Sequence, residues 1–455
     1  MSQDTPAGVA KESGPRLVHV APLIPLFVVA VLAARAIRDN SFLWHVRAGE
    51  AQATAGEVLT VDPFSYTFLG AEWRTQSWLV ELLYASLEST FSGLAWANWM
   101  VLIVGSVTVL FLGLAVYRGT RSPINTALVL LLAVWLMGPF IQPRPVLFSY
   151  ALAAALVVVL QHRDKLLWTV VPIMWIWAGV HGSWAIGAAL IILELLRTRD
   201  RRLLFAGIGA AVASLATAHG FGTWKVAVEF LGARDTLALM EEWQPPEFVD
   251  IVQAPFLLII FGLLIAAIRG KITMRDLIVI IPFVILGVSS RRAVFPAAIV
   301  LIPWAALAIP ELKSSAGRMS RAVVGGFAAV VGLLILLPML VNPLGVLEES
   351  RFPTPELVEA LGDDRAFHGD GEGGYLIYAE WPERLVYIDD RAELYDLDHF
   401  MEYRNARSGD YREAFKRWGI DVALVQIDWS LAEVLAQDGW INRAENEYFI
   451  VYGRP

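Results

Sequence analysis

The sequence predicts a mainly α-helical, polytopic membrane protein of about eleven transmembrane helices, followed by a smaller extracytoplasmic α/β domain. Three observations predict it. Of the 455 residues, 56% are hydrophobic and 18% charged, against roughly 45–50% and about 25% in soluble domains, and the mean hydropathy is +0.55. Apolar stretches close to the ~20 residues that cross a hydrocarbon core recur from Leu17 to Val341. From Glu348 onward 24 acidic residues stand against 11 basic ones, a net of −13 within a whole-chain net of −8. A soluble globular enzyme is excluded. The chain has no cysteine, so disulfides, thiolate nucleophiles and cysteine metal sites are excluded too. The acidic tail lacks basic runs, which argues against nucleic acid as a partner.

Residues 1–16 are polar and read as a cytoplasmic tail; the apolar 17–37 stretch has no small-residue cleavage site after it and reads as a retained first helix. Further apolar runs lie near 93–117, 123–138, 146–160, 166–179, 183–196, 203–218, 252–268, 276–289, 293–309 and 322–341. The transmembrane part is thus 17–341, with a large outer loop at 38–92. Within that loop SWLVELLYASLEST, residues 77–90 with Glu81 and Glu88, reads as an interfacial helix. Several runs are short, which fits tilted or broken helices lining a cavity.

Alternating spans should place Lys and Arg in every second loop. Those loops hold Arg118 and Arg121; Arg163 and Lys165; Arg197, Arg199, Arg201 and Arg202; Arg269, Lys271 and Arg275; and Lys313, Arg318 and Arg321. With these in the cytoplasm, 38–92, 139–145, 180–182, 219–251, 290–292 and the tail face outward from the cell membrane. The tail, 342–455, opens with the proline-punctuated NPLGVLEESRFPTPELVEAL. Strand-like YLIYAEW, RLVYID, DVALVQI and YFIVYG then alternate with helical DHFMEYRNA, YREAFKRW and SLAEVLAQ, which argues a small α/β domain.

Polar residues gather at the outward ends of the predicted helices: Asp39, Arg144, His181, His219, Glu241, Glu242, Arg291 and Arg292. Charge at bilayer depth is costly, so such residues are functional candidates. Arg144, Arg291 and Arg292 occupy short outer turns where positive charge is disfavoured, so something anionic should compensate them. The arginine fork suits a phosphate, and a lipid-linked sugar phosphate presents one at this depth; the alternative is snorkelling to lipid headgroups. Asp39 directly follows a predicted helix C-terminus, where a carboxylate is not favoured, and reads as a general base. Its structural alternative is a surface pair with Arg38 or Arg47. His45, His181 and His219 are read as phosphate-positioning, hydrogen-bonding or metal-binding groups, or else as structural caps. Trp44, Trp73, Trp78 and Trp243 flank the charged residues and either stack on a sugar ring or belong to the interfacial belt. Asp389, Asp390 and Arg391 in IDDRAELYD form the best polar candidate in the tail, although acidic turns after strands are ordinary solvated surface.

The segment RDNSFLWHVRAGEAQATAGEVLTVDPFSYTFLGAEWRTQSWL resembles the first outer loop of the GT-C superfamily of polyprenyl-phosphate-sugar-dependent glycosyltransferases, including the oligosaccharyltransferase catalytic subunit and the protein mannosyltransferases. It has an acidic residue after the first helix, then W-H-x-R, then D-P-F-S-Y. The pieces QPRPVLFSY, HGSW, EEWQPP, RRAVFP and GGYLIYAEWPERLVYIDDRAELY resemble a poorly described bacterial branch. The resemblance implies an inverting transfer of a hexosyl or pentosyl group on the outer face, from a lipid-phosphate donor to an envelope glycan, lipid or protein. It matches Asp39 to the catalytic acidic residue of that loop. With the reading of the residues above, the expected site is Asp39, His45 and Asp62 as the catalytic set, Arg144, His181, Arg291 and Arg292 on the donor phosphate, and Glu242, Trp243, His219 and Trp73 on acceptor or sugar. The second outer loop, GPFIQPRP, lacks the acidic pair of metal-dependent members, so no metal site is assigned. A divalent cation, Mg or Mn, would fall to Asp39, His45, Asp62 and Glu72. Two other classes compete: a transporter of lipid-linked sugars, which needs polar residues at mid-membrane depth, and a non-catalytic envelope assembly protein.

Overall fold

A computed structural model of the chain describes residues 17–232, 241–312 and 320–455. The expected tail 1–16, with Lys313 and Arg318, lies outside the described residues. Every apolar run predicted above is a helix or a pair of helical pieces. Four described helices are long and apolar enough to cross a membrane: Ala95–Thr120, Pro123–Phe140, Arg291–Ala308 and Ala322–Val341. Val146–Gln161 and Arg163–Val180 form a pair bent by 101°, and Val18–Ala33, Pro255–Ile268 and Leu277–Ser289 are apolar but shorter. At 1.5 Å per residue the shorter ones reach about 20–25 Å, less than a ~30 Å core. The count of eleven spans is therefore not confirmed.

Arg291–Ala308 is the most enclosed of the four long helices, and Ala322–Val341 the most exposed, lying against Ile24–Ala33. The basic loops meet at one end of the bundle. There Arg163 and Arg197 pair with Glu194 at 3.0 and 2.5 Å, Arg197 reaches Asp276 at 2.9 Å, and Arg163 reaches Asp200 at 3.5 Å. Arg269 donates to the Ala308 carbonyl, and Asn125 to that of Pro310.

The opposite end is built on the first loop. Asn40–Ala55 packs along Trp78–Thr90 so closely that a Cβ on Gly49 would lie 1.9 Å from the Glu81 carbonyl oxygen. Glu81, placed on an interfacial helix by its sequence, is fully buried at this contact. On its other side Asn40–Ala55 meets the Asp370–Glu380 helix, where Gly374 leaves room for the Asn40 carbonyl.

In the C-terminal segment, strands β1 (Ala366–Phe367), β2 (Val422–Gln426), β3 (Ile441–Glu445) and β4 (Phe449–Gly453) form one sheet in the order β1-β2-β4-β3. β1 runs parallel to β2, and the other pairs are antiparallel, with Leu424 opposite Val451. Strands β2 and β4 and the three interspersed helices follow the sequence pattern. Two predicted strands do not form. YLIYAEW lies in the Asp370–Glu380 helix apart from its final Trp381; Asp370 and Glu372 in the first turn favour that helix. RLVYID makes only a single bridge, Val386 to Ser65. The edge strand β3, INRAE, carries no apolar alternation and is almost wholly exposed, so its sequence does not announce it.

The segment is stitched to the first loop. Ile37 and Glu348 exchange backbone hydrogen bonds with Val346 and Ile37 at 2.8 and 3.0 Å, and Val386 pairs with Phe64 at 2.9 Å. Arg391, fully buried, binds Asp62 at 2.7 Å and Asp389 at 2.6 Å, with its guanidinium 4.6 Å from the Trp73 ring centroid. Two buried carboxylates are tolerable only while this cation stands between them. Arg391→Gln should therefore cost about 3–5 kcal/mol, read as a large fall in the thermal midpoint of the detergent-purified protein; an unchanged midpoint would contradict the role given to Arg391.

Candidate functional site

Asp39 begins the site, and its placement has a local cause that its position after the first helix conceals. It is the N-cap of Asn40–Ala55: its side chain accepts the Phe42 amide at 3.0 Å and the Ser41 hydroxyl at 2.7 Å. Helix stability thus does explain a carboxylate here, contrary to the expectation from the preceding helix end. The surface pairs considered for it do not form either, because Arg38 pairs with Glu348 and Arg47 with Glu50. Asp39 is 8% exposed. Its partner is Arg144, whose Nε forms an ion pair with Asp39 Oδ2 at 2.5 Å and donates to Ser41 Oγ at 2.9 Å.

Arg144 is held rigidly by its flanks. Pro143 offers its carbonyl to the Tyr84 hydroxyl at 2.8 Å, and Pro145 leads straight into Val146–Gln161. The other two guanidinium nitrogens reach different parts of the chain. Nη1 meets Glu242 Oε1 at 3.1 Å, and Nη2 meets Asp390 Oδ2 at 3.4 Å. Asp390 is further anchored by the Trp44 indole, which donates to Oδ1 at 2.7 Å. The second Glu242 oxygen lies 3.4 Å from Arg292 Nε, and the Arg292 guanidinium lies 5.2 Å from the Trp243 ring centroid.

Three carboxylates therefore meet two guanidiniums. Burial pushes the Asp390 carboxyl up to about 8, helped by the neighbouring Asp39 and Asp389 charges and only partly opposed by Arg144. Burial acts on Glu242 in the same upward direction, but Arg144 and Arg292 outweigh it and hold this carboxyl below its ordinary value. At neutral pH the cluster is close to electrically balanced, with the proton on Asp390.

His181, in the break between two helices, belongs to the same neighbourhood. The Ser183 amide donates to its Nδ1 at 3.0 Å, so the neutral ring carries its proton on Nε2. Burial, with the charges of Arg292, His45 and Arg144, pulls its pKa down to about 3. The His45 ring lies against Trp44 at a tilt of 31° with centroids 3.6 Å apart and turns its Nδ1 to Glu81 at 2.7 Å. Glu81 also accepts from Gln52 at 2.6 Å and from Thr75, and His219 donates to the Thr75 carbonyl at 2.7 Å. Arg291 turns aside to Glu247 at 2.5 Å.

Of the residues named from sequence, the structure gathers Asp39, Arg144, Glu242, Arg292 and Trp243, with His181 and His45 alongside. Asp62 and Trp73 belong instead to the Arg391 cluster, where Trp73 also donates to Glu393 at 3.0 Å. His219 lies on the Glu81 side. Sequence reasoning passed over Ser41 and Glu81 and favoured a solvated-surface reading for Asp390. The acidic doublet after a strand-like run was the available signal for Asp390. Asp39, His45, Asp62 and Glu72 do not converge: their partners are Arg144, Glu81, Arg391 and Arg74, respectively. Among the described residues no group of three or more His, Asp and Glu side chains is arranged to hold a metal ion. An apolar groove of about 170 Å³ lies between Ala95–Thr120, Val146–Gln161 and Val170–Val180, lined in part by Val104, Phe148, Ile176 and Val180.

No family model and no curated protein matches the chain. Among solved structures, the crystal structure of ArnT from Cupriavidus metallidurans in the apo state is similar at 13% identity and a TM-score of 0.46, over 95% of this chain and 96% of that one. At that identity and score the likeness assigns neither a reaction nor residues.

A raised carboxyl means that the folded state holds the Asp390 proton more tightly than the unfolded chain does. Its stabilising effect is fully present below the ordinary aspartate range and is lost as pH rises towards about 8. The wild-type thermal midpoint should therefore fall more steeply between pH 6 and 9 than that of Asp390→Asn, which has no proton to lose; parallel curves would refute the assignment.

Proposed function

We propose that the chain is a membrane glycosyltransferase that moves a sugar from a polyprenyl-phosphate donor to a cell-envelope acceptor on the outer face. The observation that carries this reading is the direct pairing of Asp39 with Arg144, which shares Glu242 with Arg292 at the bundle end away from the basic loops. By the positive-inside rule the Arg163, Arg197 and Arg269 end is cytoplasmic, which puts the site and the C-terminal segment outside. The domain limits remain those of the sequence: a tail over 1–16, the membrane part over 17–341 and an extracytoplasmic part over 342–455.

The chemistry follows from the groups present. Asp39 accepts the proton of the acceptor hydroxyl as its oxygen forms a bond to the anomeric carbon. The bond from that carbon to the phosphate oxygen breaks on the opposite side, with inversion, and its electron pair leaves on the phosphate. Guanidiniums aimed at that developing charge lower the barrier without having to reorganise. Ser41, bonded to both Asp39 and Arg144, keeps the two aligned. His181, neutral with an Nε2 proton, is a hydrogen-bond donor suited to the same anion. The apolar groove is lined by Val180, next to His181, and by Phe148, four residues beyond Arg144, so the first prenyl units of a donor lying in it would bring its phosphate towards the arginines. Trp243 beside Arg292 supplies an aromatic face for a sugar ring. The transport reading is less favoured because Glu194 lies near the basic end of its helix, where Arg163 and Arg197 neutralise it, and not at the middle of a span.

Asn is as good an N-cap as Asp. Asp39→Asn should thus keep the helix start and the fold while removing the base, and lower transfer from a polyprenyl-phosphate sugar by about 10²–10⁴-fold. Near-wild-type turnover in that variant, with radiolabelled donor and a membrane-extract acceptor, would sink the assignment.

A further inference from the structure

We propose that the fork formed by Arg144 and Arg292 is the subsite for the donor's phosphate, and that Glu242 is its resting occupant, a carboxylate the phosphate must displace. The inference rests on the lipid-phosphate reading above and adds how the site fills and empties.

The geometry sets Glu242 apart from the other two carboxylates. Its two oxygens bridge the two guanidiniums, at 3.1 Å to Arg144 and 3.4 Å to Arg292, as two oxygens of a phosphate would. Asp39 cannot vacate its place without uncapping Asn40–Ala55. Asp390 is fixed by the Trp44 indole and lies between Asp389 and Arg391, the buried ion pair of the C-terminal segment. Among the described residues Glu242 has no such tie. Its side chain is 51% exposed, and the partners of its carboxylate are the two arginines. Its backbone is held independently of that carboxylate, since the Ser290 hydroxyl donates to the Glu242 carbonyl at 3.3 Å and the Arg291 amide to the Gln244 carbonyl at 2.9 Å. The side chain can therefore swing out while its turn stays on the Ser290–Arg292 corner.

Charge decides the direction of the exchange. With the proton on Asp390 the cluster is balanced, and a phosphodiester carrying one negative charge replaces one carboxylate at no net change. After transfer the lipid keeps a monophosphate of about −1.5 to −2. That product is held harder than the donor, and the return of Glu242 to the fork competes with it and speeds its release. Glu242 thus weakens phosphate binding in order to allow turnover.

The test uses the full-length protein in detergent and measures binding of farnesyl monophosphate, with inorganic phosphate and farnesol as separate arms. Glu242→Gln removes the competing charge and should bind farnesyl monophosphate about five- to tenfold more tightly, the scale of freeing a partly exposed ion-pair site. Inorganic phosphate should shift in the same direction and farnesol not at all, and adding Arg292→Ala should abolish the gain. Glu242→Asp, whose shorter side chain cannot span both guanidiniums equally well, should fall between wild type and Glu242→Gln. Equal or weaker phosphate binding by Glu242→Gln, at an unchanged thermal midpoint, overturns the inference alone. An equal gain for farnesol overturns it as well, because the effect would then be apolar. Failure of both folded proteins to bind any phosphate overturns the lipid-phosphate reading and this inference with it.

Discussion

The arrangement of this site depends on one guanidinium. Arg144 receives Asp39 from the first loop, Glu242 from a loop about a hundred residues beyond Arg144 itself and Asp390 from the C-terminal segment, each on a different nitrogen. A lysine ammonium could not do this: its three donors share one point, whereas the arginine fork spreads its donors over a fixed plane. The two flanking prolines matter for the same reason, because they restrict the backbone that aims the fork. Three carboxylates around one cation would repel one another, and the cluster is tolerated because Arg292 adds a second cation and Asp390 keeps a proton.

Arg391 is the structural counterpart of Arg144. It is fully buried, pairs with Asp62 and Asp389, and has aromatic rings of Trp73, Phe64 and Trp44 around it. Its neighbour in sequence, Asp390, turns the other way, to Trp44 and Arg144. Two adjacent residues thus split the work: the buried pair fixes the C-terminal segment on the first loop, and the residue beside it delivers a carboxyl to the site. Trp44 serves both sides, with its ring near Arg391 and its indole N–H on Asp390.

How much of this was legible in the sequence follows from what kind of interaction each feature needs. The helices were legible because apolar runs of that length have few other uses, and the basic loops did gather at one end. Arg144, Arg292, Glu242 and Asp39 stood out because charge in short outer turns demands compensation. What compensates them was not legible, since the partner of each lies about 50 to 250 residues away and pairing is decided by packing. The N-cap role of Asp39 was hidden by its position: the apolar run reads on to Ile37, but the first helix ends at Ala33, so six residues separate the two helices and Asp39 meets only the favourable start of the second. YLIYAEW read as a strand from its β-formers, but acidic residues opening the turn before it and packing against Asn40–Ala55 made most of it helix. Glu81 was read as interfacial because it and Glu88 stand in a stretch with one apolar side; His45, Gln52 and Thr75 satisfy its carboxylate where it is buried.

The arginines of the short turns were expected to signal an external anion, and the structure shows instead that the chain supplies its own. These two statements are compatible only if the internal anions differ in how firmly they are held. A site lined with uncompensated guanidiniums would bind any phosphate or headgroup at the membrane surface and release it slowly. A site filled by tightly fixed carboxylates would bind none. The cluster around Arg144 lies between these limits, because two of its carboxylates are anchored by a helix start and an indole while the third is half exposed and, among the described residues, tied to the cations it neutralises. That gradation makes an ion-pair network adaptable to a recognition site.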